Sequence, residues 1–276
     1  MKITIIKMKL SYKLLLAIFF ISIILILISL YSKAKKYSDF LGGKSVFSGP
    51  VGKMSFFVNS YNGYIMSNIP KNLSTSYLDW KEVIPEAQKL LDNFEDIKNE
   101  YLEVLKNYEK IPKYGEVDDK NNGLSGHDKK DWKTFVFKYH SDYNKKNCDL
   151  CPKTSKLLKE LPIELAMFSI MEKGKKLYPH RGPSKHILRL HLGIVIPDKA
   201  KITVDNKDYF WKEKELMMFD DTYEHSVDNP NGLRGVLFMD IDRKHIPKKY
   251  IWLANLLGKG YFNKVNNEIE KKSSNL

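Results

Sequence analysis

Hydrophobic and polar residues alternate with a period of two between positions 186 and 197. One set of positions is apolar throughout, with Leu188, Leu190, Leu192, Ile194 and Ile196, and the other set holds Arg189, His191, Gly193 and Val195. A period of two predicts a β-strand whose two faces differ in character. Arg189 and His191 should therefore lie side by side on one surface of a sheet.

Short segments with strand composition recur on both sides of this one, at Trp132–Tyr139, 166–171, 202–204, 209–211, Leu216–Phe219 and 233–241. In the last of them, Arg234, Val236, Phe238 and Asp240 share a face. Several short strands at close spacing, separated by turn residues, predict a sandwich or barrel. The sequence therefore predicts a mainly β fold.

Helical periodicity is confined to the flanks of the β-rich region. Residues 80–108 keep one apolar face, which predicts one long helix or two short ones. A short helix is expected at 154–161, and an amphipathic helix at 251–269 that packs on the domain or lies on a membrane. Residues 114–130 have loop composition, and residues 37–72 have that of a tether or irregular cap.

Residues 14–31 are apolar except for Ser22 and Ser29, and lysines stand on both sides of them. A run of this length predicts a transmembrane helix. It is long for the apolar core of a signal peptide, and no small-residue cleavage site follows. We therefore expect a single-pass, uncleaved signal anchor, with a cleaved signal peptide as the alternative. Lysines on both flanks leave the orientation undetermined.

These patterns predict four regions. The anchor occupies residues 1–36, a tether and helical cap 37–130, the β-rich domain 131–250, and a C-terminal amphipathic helix with a polar tail 251–276. The formal net charge of +13 is spread over many lysines rather than concentrated in an arginine-rich tract. With a membrane segment present, this charge favours proximity to an anionic membrane surface, and we expect no nucleic-acid partner.

Two cysteines, Cys148 and Cys151, are too few for a disulfide framework. Their spacing ahead of Pro152 permits either a redox pair or an ordinary loop turn. No βαβ pattern surrounds them, which favours the loop turn.

Two histidines, His180 and His225, border predicted strands and lie 45 residues apart. Two histidines can hold a metal ion, and non-haem iron sites usually add a carboxylate. That carboxylate normally lies two residues after the first histidine, where this chain has Gly182. The spacing alone therefore leaves open a metal site or two structural histidines.

Arg189 and Arg234 are candidates for binding an anion. Arg189 lies in the middle of an apolar strand, where an unpaired charge would be costly, and arginine binds carboxylates in a bidentate manner. Its partner could be a dicarboxylate ligand or an internal carboxylate such as Asp220 or Asp221. The two aspartates could instead orient His225, or simply form a turn before it.

From Cys151 to Arg243 the chain resembles the aspartyl/asparaginyl β-hydroxylase family of iron(II)/2-oxoglutarate dioxygenases, and especially its lipid A hydroxylase-like branch. The similarity covers about a third of the chain. Its pieces are Cys151-Pro152-Lys153-Thr154, Ala166-Met167-Phe168-Ser169-Ile170, His180-Arg181-Gly182-Pro183, the strand from Leu188 to Pro197, Trp211, Phe219-Asp220-Asp221-Thr222-Tyr223-Glu224-His225, and Arg234. The order and spacing of these pieces make the resemblance specific.

The resemblance implies a double-stranded β-helix (jelly roll). Together with the helical segments and the apolar run described above, the expected fold is a mainly β jelly roll with flanking α-helices and an N-terminal transmembrane helix. The resemblance also implies that His180 and His225 are the catalytic iron(II) ligands, and that Gly182 is the family's own pattern. The implied contacts to 2-oxoglutarate are Ser169, Arg189, His191 and Arg234, and O₂ is the other cosubstrate.

The implied reaction hydroxylates an unactivated C–H bond, either in a lipid acyl chain or at the β-carbon of Asp or Asn in a protein. A catalytically inactive jelly-roll binding module is the alternative.

Overall fold

The strand predicted from the period of two is an interior strand of the larger of two β-sheets. The computed structural model describes residues 2–42, 55–117, 130–140, 142–243 and 264–272. These residues form two compact units, Met1–Ile69 and Pro70–Leu276. This two-unit division does not test the predicted four-region division, which stays a prediction.

The first unit consists of two helices, α1 (Lys2–Phe40) and α2 (Ser55–Asn68). From Leu14 to Phe40, α1 is long and apolar enough to cross a membrane, by length and composition. Its side chains from Leu14 to Ile28 are largely exposed. The irregular tether expected over 37–72 differs from the structure, because α2 occupies most of the described part of that range.

The second unit contains eleven strands within the described residues: β1 (Tyr77–Leu78), β2 (Trp132–Tyr139), β3 (Asp142–Tyr143), β4 (Ile163–Met171), β5 (Lys175–His180), β6 (Ile187–Val195), β7 (Lys201–Val204), β8 (Lys207–Phe210), β9 (Leu216–Phe219), β10 (His225–Asn229) and β11 (Arg234–Asp242). Its α-helices are α3 (Trp80–Val83), α4 (Gln88–Asp92), α5 (Phe94–Leu105), α6 (Tyr114–Val117), α7 (Lys145–Leu150), α8 (Pro152–Lys159) and α9 (residues 264–272). Short 3₁₀ turns occur at Lys71–Leu73, Pro85–Ala87 and Tyr108–Lys110.

All strand pairs are antiparallel and form two sheets. The large sheet has the order β1-β9-β6-β11-β4-β2-β3, and the small sheet has the order β5-β10-β7-β8. From β4 onward the chain passes repeatedly between the two sheets, with β4, β6, β9 and β11 in one and β5, β7, β8 and β10 in the other. This is the strand order of a double-stranded β-helix, so the predicted fold class is confirmed.

The two faces of β6 enter different apolar clusters, as its alternation predicts. Leu188, Leu190, Leu192 and Ile194 belong to a cluster shared with helices α3 to α5 and α8. The neighbouring strands β9 and β11 contribute Met217, Phe219, Val236 and Phe238 to the cluster on the opposite face, between the sheets. Arg189 and His191 lie on that inner face.

The helical region from Trp80 is interrupted more often than its apolar periodicity predicts. Pro85 begins a 3₁₀ turn and Asn93 ends α4, so the expected one or two helices become α3, α4 and α5. The predicted face is nevertheless buried, including Ile84, Leu90 and Ile97.

At the C-terminus, residues 244–263 lie outside the described residues, and with them most of the expected 251–269 helix. The described helix α9 buries Val265 and Ile269 in the inner cluster. The described part of this helix therefore packs on the β-rich domain. The loop expected at 114–130 begins instead with α6, and residues 118–129 lie outside the described range.

Cys148 and Cys151 lie at the junction of α7 and α8 as free, buried thiols. Burial raises the pKa of both thiols above the ordinary value. The Cys148 thiol contacts the carbonyl oxygen of Phe137 at 3.7 Å. Thiols with a raised pKa are poor nucleophiles, which supports the turn rather than the redox pair.

Candidate active site

The two histidines meet across the small sheet. His180 is the last residue of β5 and His225 is the first residue of β10, and the two are direct cross-strand partners. Their ring centroids are 4.1 Å apart. The sequence predicted only that each histidine borders a strand, whereas antiparallel pairing brings them into contact.

Both rings are held in the same way. The Nδ1 atom of His180 lies 2.7 Å from the carbonyl oxygen of Tyr178, and that of His225 lies 2.9 Å from the carbonyl oxygen of Tyr223. A carbonyl only accepts hydrogen bonds, so each Nδ1 carries the proton and each Nε2 keeps its lone pair. Burial lowers the pKa of both rings, and that of His225 falls well below its ordinary value. Two neutral imidazoles with free Nε2 lone pairs are suited to binding a metal.

Gly182 leaves no room for a carboxylate ligand. A Cβ atom at this position would overlap the carboxylate of Asp221, and the Gly182 amide donates to the Asp221 carbonyl oxygen at 2.7 Å. Within the described residues, no cluster of three or more His, Cys, Asp or Glu side chains could hold a metal ion.

Arg189 is already neutralised by carboxylates of the protein. Its Nε lies 2.9 Å from Asp240 Oδ1, and its Nη2 lies 3.1 Å from Asp221 Oδ2. Burial alone would lower the pKa of Arg189, but Asp240 and Asp221 raise it above the ordinary value. Burial raises the pKa of Asp221 to about 7, although Arg189 acts against this shift. The internal partner considered for Arg189 is therefore present, and its predicted contact with 2-oxoglutarate stays a prediction.

Arg234, in contrast to Arg189, is a buried cation that is not neutralised by a carboxylate among the described residues. It is 1% exposed, its guanidinium carbon lies 4.2 Å from the centroid of the Trp211 ring, and its Nη1 donates to Met171 Sδ at 2.8 Å. Among the described residues no carboxylate pairs with it, and its Nε lacks a hydrogen-bond partner. Burial lowers the pKa of Arg234 to about 9. A buried cation without an anion indicates a site for an anionic ligand.

His191 lies between this arginine and the histidine pair. Neither of its ring nitrogens has a hydrogen-bond partner within the described part of the chain. The Phe219 ring contacts the rings of both His191 and His225, with centroids 5.5 Å and 5.3 Å away. Burial, followed by the charge of Arg234, lowers the pKa of His191 well below its usual value, so the ring is neutral.

Ser169 completes the group of predicted residues. It lies on β4 opposite Val236 of β11, and its hydroxyl accepts a hydrogen bond from Trp132 Nε1 at 2.9 Å. Trp132 in turn stacks on Tyr114 of α6, with ring centroids 4.1 Å apart. This hydroxyl still has a proton to donate, so it can bind a carboxylate beside Arg234.

The residues therefore fit the predicted groups. The paired histidines offer two nitrogen lone pairs to a metal, and the unneutralised Arg234 with the unpartnered His191 offers hydrogen-bond donors to a dicarboxylate. The assignments of His180, His225, Ser169, Arg189, His191 and Arg234 stay predictions, but the structure brings all six to one inner region.

A buried ionic cluster links the loops that adjoin the two histidines, and the sequence did not predict it. Lys185 Nζ lies 2.8 Å from Asp220 Oδ2, and it also donates to Thr222 Oγ1 at 2.8 Å. Arg243 Nη2 contacts Asp220 as well, and its Nε donates to the carbonyl oxygen of Lys185 at 2.8 Å. Among the described residues, the side chain of Asp220 contacts Lys185, Arg243 and Thr222 rather than His225 or Arg189. It joins the loop after His180 to the loop before His225.

The sequence profile of the aspartyl/asparaginyl β-hydroxylase family matches residues 91–244. Ornithine lipid ester-linked acyl 2-hydroxylase of Rhizobium tropici is 35% identical over 161 residues, covering 56% of this chain and 57% of that protein. Human aspartyl/asparaginyl β-hydroxylase is 34% identical over 122 residues, covering 41% of this chain and 16% of that protein. The chain thus spans little more than half of the first relative's length and a small part of the second's.

Among solved structures, a predicted oxalate decarboxylase from Thermotoga maritima overlaps 32% of this chain and 72% of its own, with 15% identity and a TM-score of 0.26. With an overlap this limited, the fold assignment rests on the strand order described above.

Proposed function

The chain belongs to the aspartyl/asparaginyl β-hydroxylase family, and on that premise we propose that it is an iron(II)- and 2-oxoglutarate-dependent hydroxylase. The observation that carries the proposal is the buried Arg234, which has no carboxylate partner among the described residues. It lies in the same inter-sheet interior as a pair of neutral histidines. A metal-binding pair beside an unneutralised cation suits a cosubstrate that both chelates a metal and carries a distal carboxylate.

The residues have distinct roles in this proposal. His180 and His225 present Nε2 to the iron, and their Nδ1–H groups are held by backbone carbonyls. Arg234, with Ser169, binds the distal carboxylate of 2-oxoglutarate, and neutral His191 donates one further hydrogen bond.

Arg189 acts by holding Asp221 against Gly182, which keeps that side of the histidine pair free of a third ligand. When bound, iron and 2-oxoglutarate supply the oxidation: O₂, 2-oxoglutarate and a C–H bond give succinate, CO₂ and a C–OH group.

For the substrate, we propose a lipid acyl chain. The support is the relative whose name describes an acyl 2-hydroxylase of ornithine lipid, which aligns over more of this chain than the human protein does. The second candidate is an Asp or Asn side chain, favoured by the name of the human relative.

We also propose that α1 anchors the protein in a membrane as a single-pass segment, which would bring the enzyme to a lipid substrate. The support is the length and apolar composition of α1 from Leu14 to Phe40.

The full chain in phosphatidylcholine–phosphatidylglycerol vesicles, supplied with Fe(II), 2-oxoglutarate and O₂, tests the activity. We expect succinate together with acyl chains that gain one oxygen atom when bacterial lipid extract is present. His180→Ala and His225→Ala should each reduce both products to background. His140→Ala, in the β2–β3 turn, is the matched control and should keep activity.

Hydroxylated Asp or Asn peptides without hydroxylated lipid would move the substrate to the second candidate. A protein that binds neither iron nor 2-oxoglutarate, and forms no succinate with any substrate, would instead be the inactive jelly-roll module, and the enzyme proposal would be wrong.

A further inference from the structure

Three contacts fix how α2 packs on α1. Ser60 Oγ shares its proton between the carbonyl oxygen of Phe56 at 2.7 Å and that of Leu30 at 3.0 Å, and Lys36 Nζ donates to Ser67 Oγ at 3.2 Å. Between them, a Cβ atom on Gly63 would overlap the backbone carbonyl of Lys33. The close approach requires glycine at this position, and it means that the two helices touch backbone to backbone.

These contacts join positions that differ by 30 or 31 residues, and the numbers rise together along both helices. The helices are therefore parallel and in register. The register places Tyr61 level with Tyr31, and the first turn of α2, which starts near Phe56, level with Ile26.

Ile26 lies inside the apolar run of α1, which ends at Tyr31 and is followed by Lys33, Lys35 and Lys36. Five residues of helix span roughly 7–8 Å, so Phe56 lies about that far to the apolar side of Tyr31. Phe56 is 38% exposed, and Ile26 is 56% exposed.

The two ends of α2 differ in polarity. Its first turn contains Phe56 and Val58, whereas its last residues are Ser67 and Asn68, at the level of the α1 lysines. Tyr31 and Tyr61 lie at the level between, where aromatic residues are enriched at membrane interfaces.

We propose that the first turn of α2, at Phe56 and Val58, enters the apolar layer of the lipid bilayer beside residues 26–28 of α1 and forms a second membrane contact. The proposal rests on the membrane anchor proposed above. The apolar side chains of residues 26–28 of α1 are exposed at the level of Phe56 and Val58, which makes lipid acyl chains the occupant that fits this turn. Asn59, level with Ser29, limits the insertion to a single turn.

Nitroxide labels on the full chain in phosphatidylcholine–phosphatidylglycerol vesicles test this. Single variants Phe56→Cys, Ile26→Cys and Asn68→Cys are labelled, and collisions with O₂, which concentrates among acyl chains, are compared with collisions with a water-soluble nickel chelate. Because Cys148 and Cys151 are buried, the unsubstituted protein serves as the labelling control.

We expect the labels at positions 56 and 26 to collide several-fold more often with O₂ than with the nickel chelate. The label at position 68 should collide more often with the nickel chelate. If position 56 behaves like position 68 while position 26 remains in lipid, α2 lies outside the bilayer and this proposal is wrong although the anchor stands. If the label at position 26 is also exposed to water, the proposal that α1 anchors the protein in a membrane is wrong.

A label at position 56 that neither reagent reaches would mean that protein covers this turn, and would overturn the lipid assignment. Val58→Cys repeats the measurement in case Phe56→Cys impairs folding.

Discussion

Two arginines on adjacent strands have opposite surroundings. Arg189 of β6 is held by the carboxylates of Asp240 and Asp221, whereas the guanidinium of Arg234 of β11 contacts the Trp211 ring and the Met171 thioether and, among the described residues, pairs with no carboxylate. A paired buried charge contributes to the folded state, and an unpaired one costs free energy unless a ligand neutralises it. The two side chains should therefore respond differently to the same substitution.

Arg234→Met should weaken 2-oxoglutarate binding by about a hundredfold, since truncating one partner of a buried charge pair costs about 2–5 kcal/mol. It should leave the free energy of unfolding unchanged or higher, because an unneutralised buried charge is removed. Calorimetric titration with 2-oxoglutarate and urea denaturation measure the two effects.

Arg189→Met is the matched control. It leaves Asp240 and Asp221 without their cation and should destabilise the fold by about 3 kcal/mol. If Arg234→Met left 2-oxoglutarate affinity intact, the carboxylate-binding role would pass to Arg189.

At the scale of elements, the sequence predicts those strands in which one face is apolar. The alternation of β6 and the apolar composition of β4, β9 and β11 indicate strands because both faces of the large sheet are covered. The strands β5 and β10, Lys-Lys-Leu-Tyr-Pro-His and His-Ser-Val-Asp-Asn, are absent from the prediction because they are short and polar. The two candidate metal ligands lie on these strands, so their direct pairing could not be predicted.

The unpredicted parts of the site depend on contacts between distant residues. Asp240 shares a face of β11 with Arg234, which alternation does predict, but its pairing with Arg189 depends on the register between β6 and β11. Lys185 and Arg243 lie in loops and at a strand end, where no periodicity exists. The identities of the pocket residues came instead from the family resemblance.

The Lys185–Asp220–Arg243 cluster joins the loop after His180 to the loop before His225. Lys185→Met should remove one cation from the buried Asp220 and destabilise the protein by about 3 kcal/mol. Because the loops after His180 and before His225 then lose a common contact, Fe(II) affinity should also fall, by about 10–100-fold.

Thermal unfolding and metal titration measure these effects. Lys201→Met is the control, since Lys201 forms a similar pair with Asp208 at the surface, and it should change stability by only about 0.5 kcal/mol. Equal losses in both variants would refute a special role for the buried cluster.

The α7–α8 junction should be chemically inert. Burial raises the pKa of the Cys148 and Cys151 thiols, so neither is a thiolate at neutral pH. The native protein should react with a thiol reagent at pH 7.5 only after denaturant is added, with both thiols then modified. Rapid modification of the native protein, or a disulfide between the two, would restore the redox interpretation.

At the scale of the whole molecule, apolar residues are divided between a buried core in Pro70–Leu276 and an exposed helix in Met1–Ile69. In the second unit such residues are buried by sheets and helices, whereas in α1 the side chains from Leu14 to Ile28 remain exposed. The length and apolar composition of this helix suit a membrane-spanning segment or a signal sequence.

Ile21→Lys combined with Ile24→Lys should release the protein from membranes, since each lysine near the centre of a span costs about 3 kcal/mol. Flotation of the expressed protein with membranes measures this. Phe210→Lys combined with Leu150→Lys, which adds the same two charges at exposed apolar side chains outside α1, should leave flotation unchanged. Continued flotation of the double variant would mean that attachment lies elsewhere, and an intact mass lacking α1 would identify a cleaved signal peptide.

The register of β5 and β10 has a topological consequence. An ion held by both His180 and His225 would close a ring of chain through residues 180–225, which contains β6, β7, β8 and β9. Closing a ring of this size removes conformational entropy from the unfolded chain. β5 lies at the edge of its sheet, and the same ion would fasten that edge to its neighbour. Iron supply would then govern the lifetime of the folded protein against proteases as well as its catalytic rate.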